Sequence, residues 1–237
     1  KRQEAKITGA AVTLVAVTKN HPADVVTESL ECGIQNIGEN RVQEAKHKQE
    51  ALGKQGVWHL IGHLQTNKAR QAVALFDLIE SIDSERLLEA VDKEAARIDK
   101  VQDILLQLNI AHEEQKSGFD KEEYLAILPK LAEYPHVRVR GLMVIAQACE
   151  DVEETRPVFA AGYRAYCRLR SVRTYPYIVL RVVCRPFLRK YKYSDFYLLL
   201  SETISKSYEK EFLKGIITLY YVRCMFTWNR WHDATVI

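Results

Sequence analysis

Apolar, β-branched runs recur along the chain at Val12–Thr18, Ile34–Gly38, Val57–Gly62, Leu78–Ile82, Val101–Ile110 and Val137–Ile145. The first five begin 21 to 23 residues apart, a spacing that suits repeated strand and helix units. Helical signals fill the intervals. In the first, Pro22 opens a helix, Val25, Val26, Ser29 and Leu30 supply its stripe, and Gly33 closes it. Similar patterns follow at Arg41–Leu52, Asn67–Phe76, Ser84–Ile98, Lys121–Ala132 and Val152–Leu169. Six consecutive βα units of one handedness lead either to a closed barrel or to a doubly wound open sheet. No Gly-x-Gly-x-x-Gly follows the first strand, which weighs against a dinucleotide fold. The expected class is therefore α/β, a TIM-type (β/α)8 barrel.

The pattern changes after about residue 166. Residues 1–166 carry 21 Lys+Arg against 26 Asp+Glu, whereas residues 167–237 carry 13 against 5. Alanine almost vanishes in the second part, where only Ala234 remains, and eight of the twelve tyrosines lie there. Tyr177–Val183 and Ile216–Val222 are its two good strand candidates. The barrel is accordingly expected to be incomplete or irregular after residue 166. We divide the chain into a barrel portion at 1–166 and a basic, tyrosine-rich tail at 167–237, read as a divergent or frameshifted replacement of the last two units.

Composition narrows the setting. The 237 residues are 47% hydrophobic, enough for one full barrel core. The uncharged apolar stretches, such as Gly215–Val222, are far short of a membrane span, and no signal peptide precedes the first strand, so a cytoplasmic location without a membrane partner is expected. Cys32, Cys149, Cys167, Cys184 and Cys224 are widely spaced and include no Cys-x-x-Cys pair, which suggests reduced thiols rather than disulfides or zinc.

The first strand ends on Lys19, an amine placed where a barrel opens its active-site mouth. Such a lysine either returns the chain to water or serves as a Schiff-base amine activated by burial or a neighbouring cation. Asn40 either bonds a ligand or caps the next helix, Asn67 is expected to cap the helix carrying Lys68 and Arg70, and Gly118 and Gly141 are expected to supply tight backbone turns. Glu39, Gly62 and His63 follow the second and third strands and are expected to share the mouth with Lys19. His59 and His63 lack an evident third metal ligand, so His59 reads as structural and His63 as pocket lining. Met143, expected at the end of the sixth strand, either packs against a ring or fills core. Arg41 is either a cation near the mouth or a solvated side chain.

Read together, Ala16-Val17-Thr18-Lys19, Ile37-Gly38-Glu39-Asn40-Arg41-Val42-Gln43-Glu44, Trp58-His59-Leu60-Ile61-Gly62-His63-Leu64-Gln65-Thr66-Asn67-Lys68, Lys116-Ser117-Gly118-Phe119 and Arg140-Gly141-Leu142-Met143 form an ordered set. The set closely resembles the pyridoxal-phosphate homeostasis proteins over roughly residues 7 to 165. That resemblance implies an alanine racemase-like barrel holding pyridoxal 5'-phosphate as a covalent aldimine on Lys19, with Asn40, His63 and Met143 as further cofactor-binding residues. It implies intracellular cofactor homeostasis without turnover chemistry, a monomer, apo pyridoxal-phosphate enzymes as recipients, and no nucleic-acid partner.

The family's glycine-rich phosphate segments on strands seven and eight have no counterpart here, since residues 167–237 contain only Gly215. A weakened grip on the cofactor phosphate is therefore expected. Two other readings stay open: a racemase-like enzyme on the same barrel and lysine, and a nucleic-acid-binding tail built on Arg168, Arg170, Arg173, Arg181, Arg185, Arg189, Lys190 and Lys192.

Overall fold

A parallel strand flanked by strands on both sides and helices on its outer face is shielded from water throughout, so its sequence is apolar almost without interruption. Eight such strands close into one barrel in sequence order in the computed structural model, which describes residues 12–110, 117–146, 152–172, 179–184 and 216–221. The strands are β1 (Val12–Val17), β2 (Asn36–Glu39), β3 (Val57–Leu60), β4 (Leu78–Ile82), β5 (Gln102–Leu108), β6 (Val137–Ala146), β7 (Val179–Cys184) and β8 (Ile216–Tyr221). The helices between the first seven are α1 (Asp24–Glu31), α2 (Val42–Leu52), α3 (Ala69–Leu75), α4 (Glu85–Ala96), α5 (Lys121–Lys130) and α6 (Arg156–Val172). β8 returns to β1 in parallel register, Val12 opposite Ile217 and Ala16 opposite Tyr221.

Both tail strands anticipated from the sequence are thus present, as β7 and β8. Residues 185–215, which join them and where the expected irregularity would fall, lie outside the described residues. β7 and β8 share three register pairs, as many as β1 and β2. The compositional break at residue 167 falls inside α6 rather than between elements.

Local chemistry sets the element ends. After α1, Gly33 N donates to Leu30 O at 2.9 Å and Ile34 N to Ser29 O at 3.0 Å, the paired bonds of a Schellman motif. At α5 the Asp120 side chain accepts from Glu122 N and Glu123 N while Glu123 returns a bond to Asp120 N, forming a capping box. Two anticipated caps are not made. Asn67 lies inside a short 3-10 turn, Thr66–Lys68, and neither that turn nor α3 has a side-chain cap. α2 begins after Arg41 without a side-chain cap, so Asn40 does not serve one.

Alternation along the strands sorts side chains between two interiors. Ala16, Ile37, Leu60, Ile79, Leu106 and Val144 join one apolar cluster with helix residues such as Val26, Ala45, Val73, Leu88 and Phe159. Val15, Val17, Leu105 and Met143 are equally buried but stand apart from that cluster, on the inner face of the barrel. In β6 the register shifts where Ile104 faces Val139 and Leu105 faces Gly141, so Arg140 is an extra residue in a bulge. Gly141 serves this bulge within a strand rather than a turn.

Candidate functional site at the barrel mouth

Lys19 follows β1 on the inward parity of Val15 and Val17, and it is half-buried. The chain around it is held closely. Thr18 N donates to Gly38 O at 3.1 Å, His21 N donates back to Thr18 O at 3.1 Å, and Asn20 adopts the left-handed conformation with φ 60°. The amine-bearing residue is therefore fixed between the last bond of the strand and a tight turn.

Asn40 occupies the equivalent place after β2, on the parity of Asn36 and Gly38, and is half-buried. Gly62 explains how closely the neighbouring strand end approaches it: a Cβ there would lie 2.3 Å from Asn40 O and 2.9 Å from Asn40 Cα. No side chain fits between these two strand ends.

His63 stands at the rim with 57% of its side chain exposed and its Nδ1 3.0 Å from Asp83 Oδ2. Ser117 Oγ lies 3.3 Å from the same nitrogen. Ser117 is delivered by the segment docked on the end of β5, where Phe119 N donates to Gln107 O at 2.8 Å and Asn109 N to Phe119 O at 3.0 Å. Gly118 makes that docking possible, since its φ is 138° and a Cβ would lie 2.7 Å from Asn109 N. Serine and aspartate meet one ring nitrogen, whereas an acyl-transfer triad needs them on opposite nitrogens. The cluster can orient the imidazole and leaves Nε2 for a ligand, but it does not activate Ser117 as a nucleophile.

Met143 is 1% exposed and lies within β6, opposite Gln107, rather than at the strand end anticipated for it. Its inward parity places the thioether in the barrel interior. His59 is also interior, with Nδ1 2.7 Å from Glu80 Oε1 and Nε2 3.1 Å from Asn36 Oδ1. The two histidines thus take different carboxylates, Glu80 and Asp83. Among the described residues no group of His, Cys, Asp and Glu could hold a metal. Arg41 is 73% exposed and faces Glu44 at 3.7 Å, which makes it a solvated residue. Lys116 and the basic tail residues Arg173, Arg185, Arg189, Lys190 and Lys192 lie outside the described residues.

Glu39 is the main correction. It was expected at the mouth, but the parity of β2 turns it outward beneath α2, where it is 0% exposed. Its Oε1 accepts from Lys48 Nζ at 2.5 Å and from Thr18 Oγ1. Lys48 Nζ also donates to Thr18 O at 2.7 Å. Burial pushes the Glu39 carboxyl above the usual carboxylate range, an effect opposed by the bonds from Lys48 and Thr18. Sequence reasoning missed Lys48 altogether. The one signal for it was its place among Val42, Ala45 and Gln49 on the buried stripe of α2.

The fold is a closed parallel barrel with a lysine directly after its first strand, and its class is that of the alanine racemase barrels, since residues 2–176 match the family model for the alanine racemase N-terminal domain. A relative in Haemophilus influenzae, named pyridoxal phosphate homeostasis protein, is 31% identical over 164 residues, covering 68% of this chain and 69% of its own length. Another of that name in Aquifex aeolicus is 39% identical over 147 residues, 62% of this chain and 64% of its own length. PipY of Synechococcus elongatus, solved without PLP, superposes with a TM-score of 0.71 at 32% identity, over 88% of this chain and 90% of PipY. PipY solved with PLP bound gives 0.69 at 32%, over 87% and 90%. The chain belongs to the alanine racemase N-terminal domain family and, within it, to the pyridoxal phosphate homeostasis proteins. Its match spans just under two thirds of the Aquifex relative, at 64%.

Proposed function

We propose that this chain binds pyridoxal 5'-phosphate in the barrel mouth and serves intracellular homeostasis of that cofactor. The observation that carries the reading is Lys19, a half-buried amine leaving β1 on the inner face of the barrel, in a family where PipY has been solved with PLP bound. The donor set suits the cofactor. Lys19 supplies a primary amine for its aldehyde, Asn40 an amide and His63 an imidazole already oriented by Asp83, while Met143, 1% exposed, packs in the barrel interior beneath them. When bound, the cofactor supplies an electrophilic aldehyde and a conjugated ring that can accept electrons.

Lys19 would hold the cofactor through its primary amine, which is the group suited to condense with an aldehyde. Asn40 and His63 would orient the bound group, with Asp83 keeping the imidazole in place. The groups expected to receive the phosphate follow β7 and β8, outside the described residues. We read the chain as a carrier without turnover chemistry that acts in the cytoplasm as a monomer and passes cofactor to apo enzymes. Among the described residues no helix is long and apolar enough to cross a membrane. We also propose that residues 167–237 replace the family's usual ending through divergence or a shifted frame. If no alternative frame of the coding DNA restores a glycine-rich ending, the frameshift origin is wrong.

Incubation with pyridoxal phosphate followed by borohydride reduction and peptide mapping tests the cofactor reading. A visible absorbance band and a tag on Lys19, both lost in Lys19→Ala, are expected. An untagged Lys19 at saturating cofactor overturns covalent attachment, and racemisation of alanine by the purified protein overturns the carrier role.

A further inference from the structure

The Thr18, Glu39 and Lys48 cluster is expensive for a structural contact. Lys48 and Glu39 have side-chain exposures of 6% and 0%, and one carboxylate oxygen, Glu39 Oε2, has no hydrogen-bond partner. Desolvating two charges often cancels their attraction, and well-packed apolar residues are commonly as stable in such places. Stability alone is therefore a weak reason for the pair.

Its geometry gives a better one. The peptide group joining Thr18 to Lys19 presents its carbonyl to two donors, Lys48 Nζ at 2.7 Å and His21 N at 3.1 Å. Glu39 holds Lys48 in place and also accepts from the Thr18 hydroxyl. One residue beyond Lys19, Asn20 N donates to Glu44 Oε2 at 3.3 Å, a second contact from α2. Thus α2 grips the chain on both sides of Lys19, and the left-handed Asn20, uncommon for a residue with a side chain, is held from the same helix.

We propose that Glu39 and Lys48 are positioning residues for Lys19: the buried pair locks the Thr18 carbonyl and so keeps the Lys19 amine aimed into the barrel mouth. The inference rests on the reading of Lys19 as the cofactor-attaching amine. An apolar pair would pack but could not hold the carbonyl, which explains why charge is retained here.

The test uses the full chain and measures the rate at which pyridoxal phosphate and borohydride tag individual lysines, with melting temperature in parallel. Glu39→Gln/Lys48→Met removes both charges together and leaves an acceptor for the Thr18 hydroxyl. It is expected to melt close to wild type while tagging at Lys19 slows roughly tenfold or more, as misplacement of a reacting group implies. Tags on Lys46 and Lys54, whose side chains are 55% and 40% exposed, should be unchanged and serve as internal references.

A folded double variant that tags Lys19 at the wild-type rate overturns the positioning role and leaves the cofactor reading intact. Wild-type protein untagged at Lys19 overturns both. Should the double variant not fold, the apolar pair Glu39→Leu/Lys48→Met removes the same donor to the Thr18 carbonyl. Slower tagging at Lys19 in that folded variant, with Lys46 and Lys54 tagged as in wild type, supports the role; a wild-type rate at Lys19 refutes it.

Discussion

Replacing Gly62 by alanine tests the geometry of the mouth most directly. The added Cβ would lie 2.3 Å from Asn40 O and within 3.0 Å of Asn40 C, whereas ordinary contact begins near 3.4 Å. The strand ends must therefore part by about 1 Å, a displacement a close-packed interior resists. Overpacking of this kind costs about 1–3 kcal/mol. At roughly 2–4 °C per kcal/mol for a chain of this size, the melting temperature should fall by roughly 2–12 °C. The control is Gly53→Ala. Gly53 has φ 72° and no atom within 4 Å of the position a Cβ would take, so alanine there meets backbone strain without a clash. With ψ 160° Gly53 lies in a region open almost only to glycine, and that strain is worth about 1–3 kcal/mol, comparable in size but remote from Asn40. Thermal melts of both variants should thus show similar losses. Only Gly62→Ala, which shifts Asn40, should also slow cofactor tagging at Lys19. A Gly62→Ala protein that melts and tags like wild type would show that β2 and β3 do not approach as closely as the structure has them.

Two further outcomes follow from features away from the mouth. Asp120→Ala removes the capping box of α5 and should lower stability by about 0.5–2 kcal/mol in urea titration, with Asp120→Asn retaining most of it; equal midpoints for wild type and Asp120→Ala would contradict the cap. Burial pushes the Tyr163 phenol up from 10.0 to about 12, and the same cause, reinforced by Glu85, takes Tyr134 to about 12. Because the native state holds these protons more tightly than the unfolded chain, their contribution is fully present below pH 10 and is lost as pH rises through about 12. Ultraviolet phenolate titration of wild type against Tyr163→Phe and Tyr134→Phe, beside urea melts between these limits, checks this, and a variant that loses a phenol ionising near 10 in the folded protein would contradict it.

The barrel was legible because its period is written in apolar runs, and the tail strands were legible for the same reason despite their altered composition. The position of Lys19 at the end of β1 was legible because the apolar run Val12–Thr18 stops directly before it. Glu39 misled because Gly38-Glu39-Asn40 reads as one polar cluster, although successive residues of a strand face opposite ways. Only the parity of Asn36, Gly38 and Asn40 separates Glu39 from its neighbours, and a strand buried on both faces does not show in its sequence which parity points inward. Met143 was misplaced for a related reason. β6 runs three residues beyond it to Ala146, and the bulge at Arg140 resets the alternation, which periodicity alone does not reveal. Lys48 was invisible because a lysine on a helix is ordinarily solvated, and its partner Glu39 was assigned elsewhere.

Closure of the barrel through β8 also sets a timetable for the chain during synthesis. β1 emerges from the ribosome early, yet one of its two neighbours is Ile216–Tyr221, about 200 residues later. At about 5–20 residues per second this leaves one edge of the lysine-bearing strand open for roughly 10–40 s. During that interval β1 is an uncapped apolar ribbon, the kind of edge that recruits unwanted partners. Pairing with β8 removes that edge.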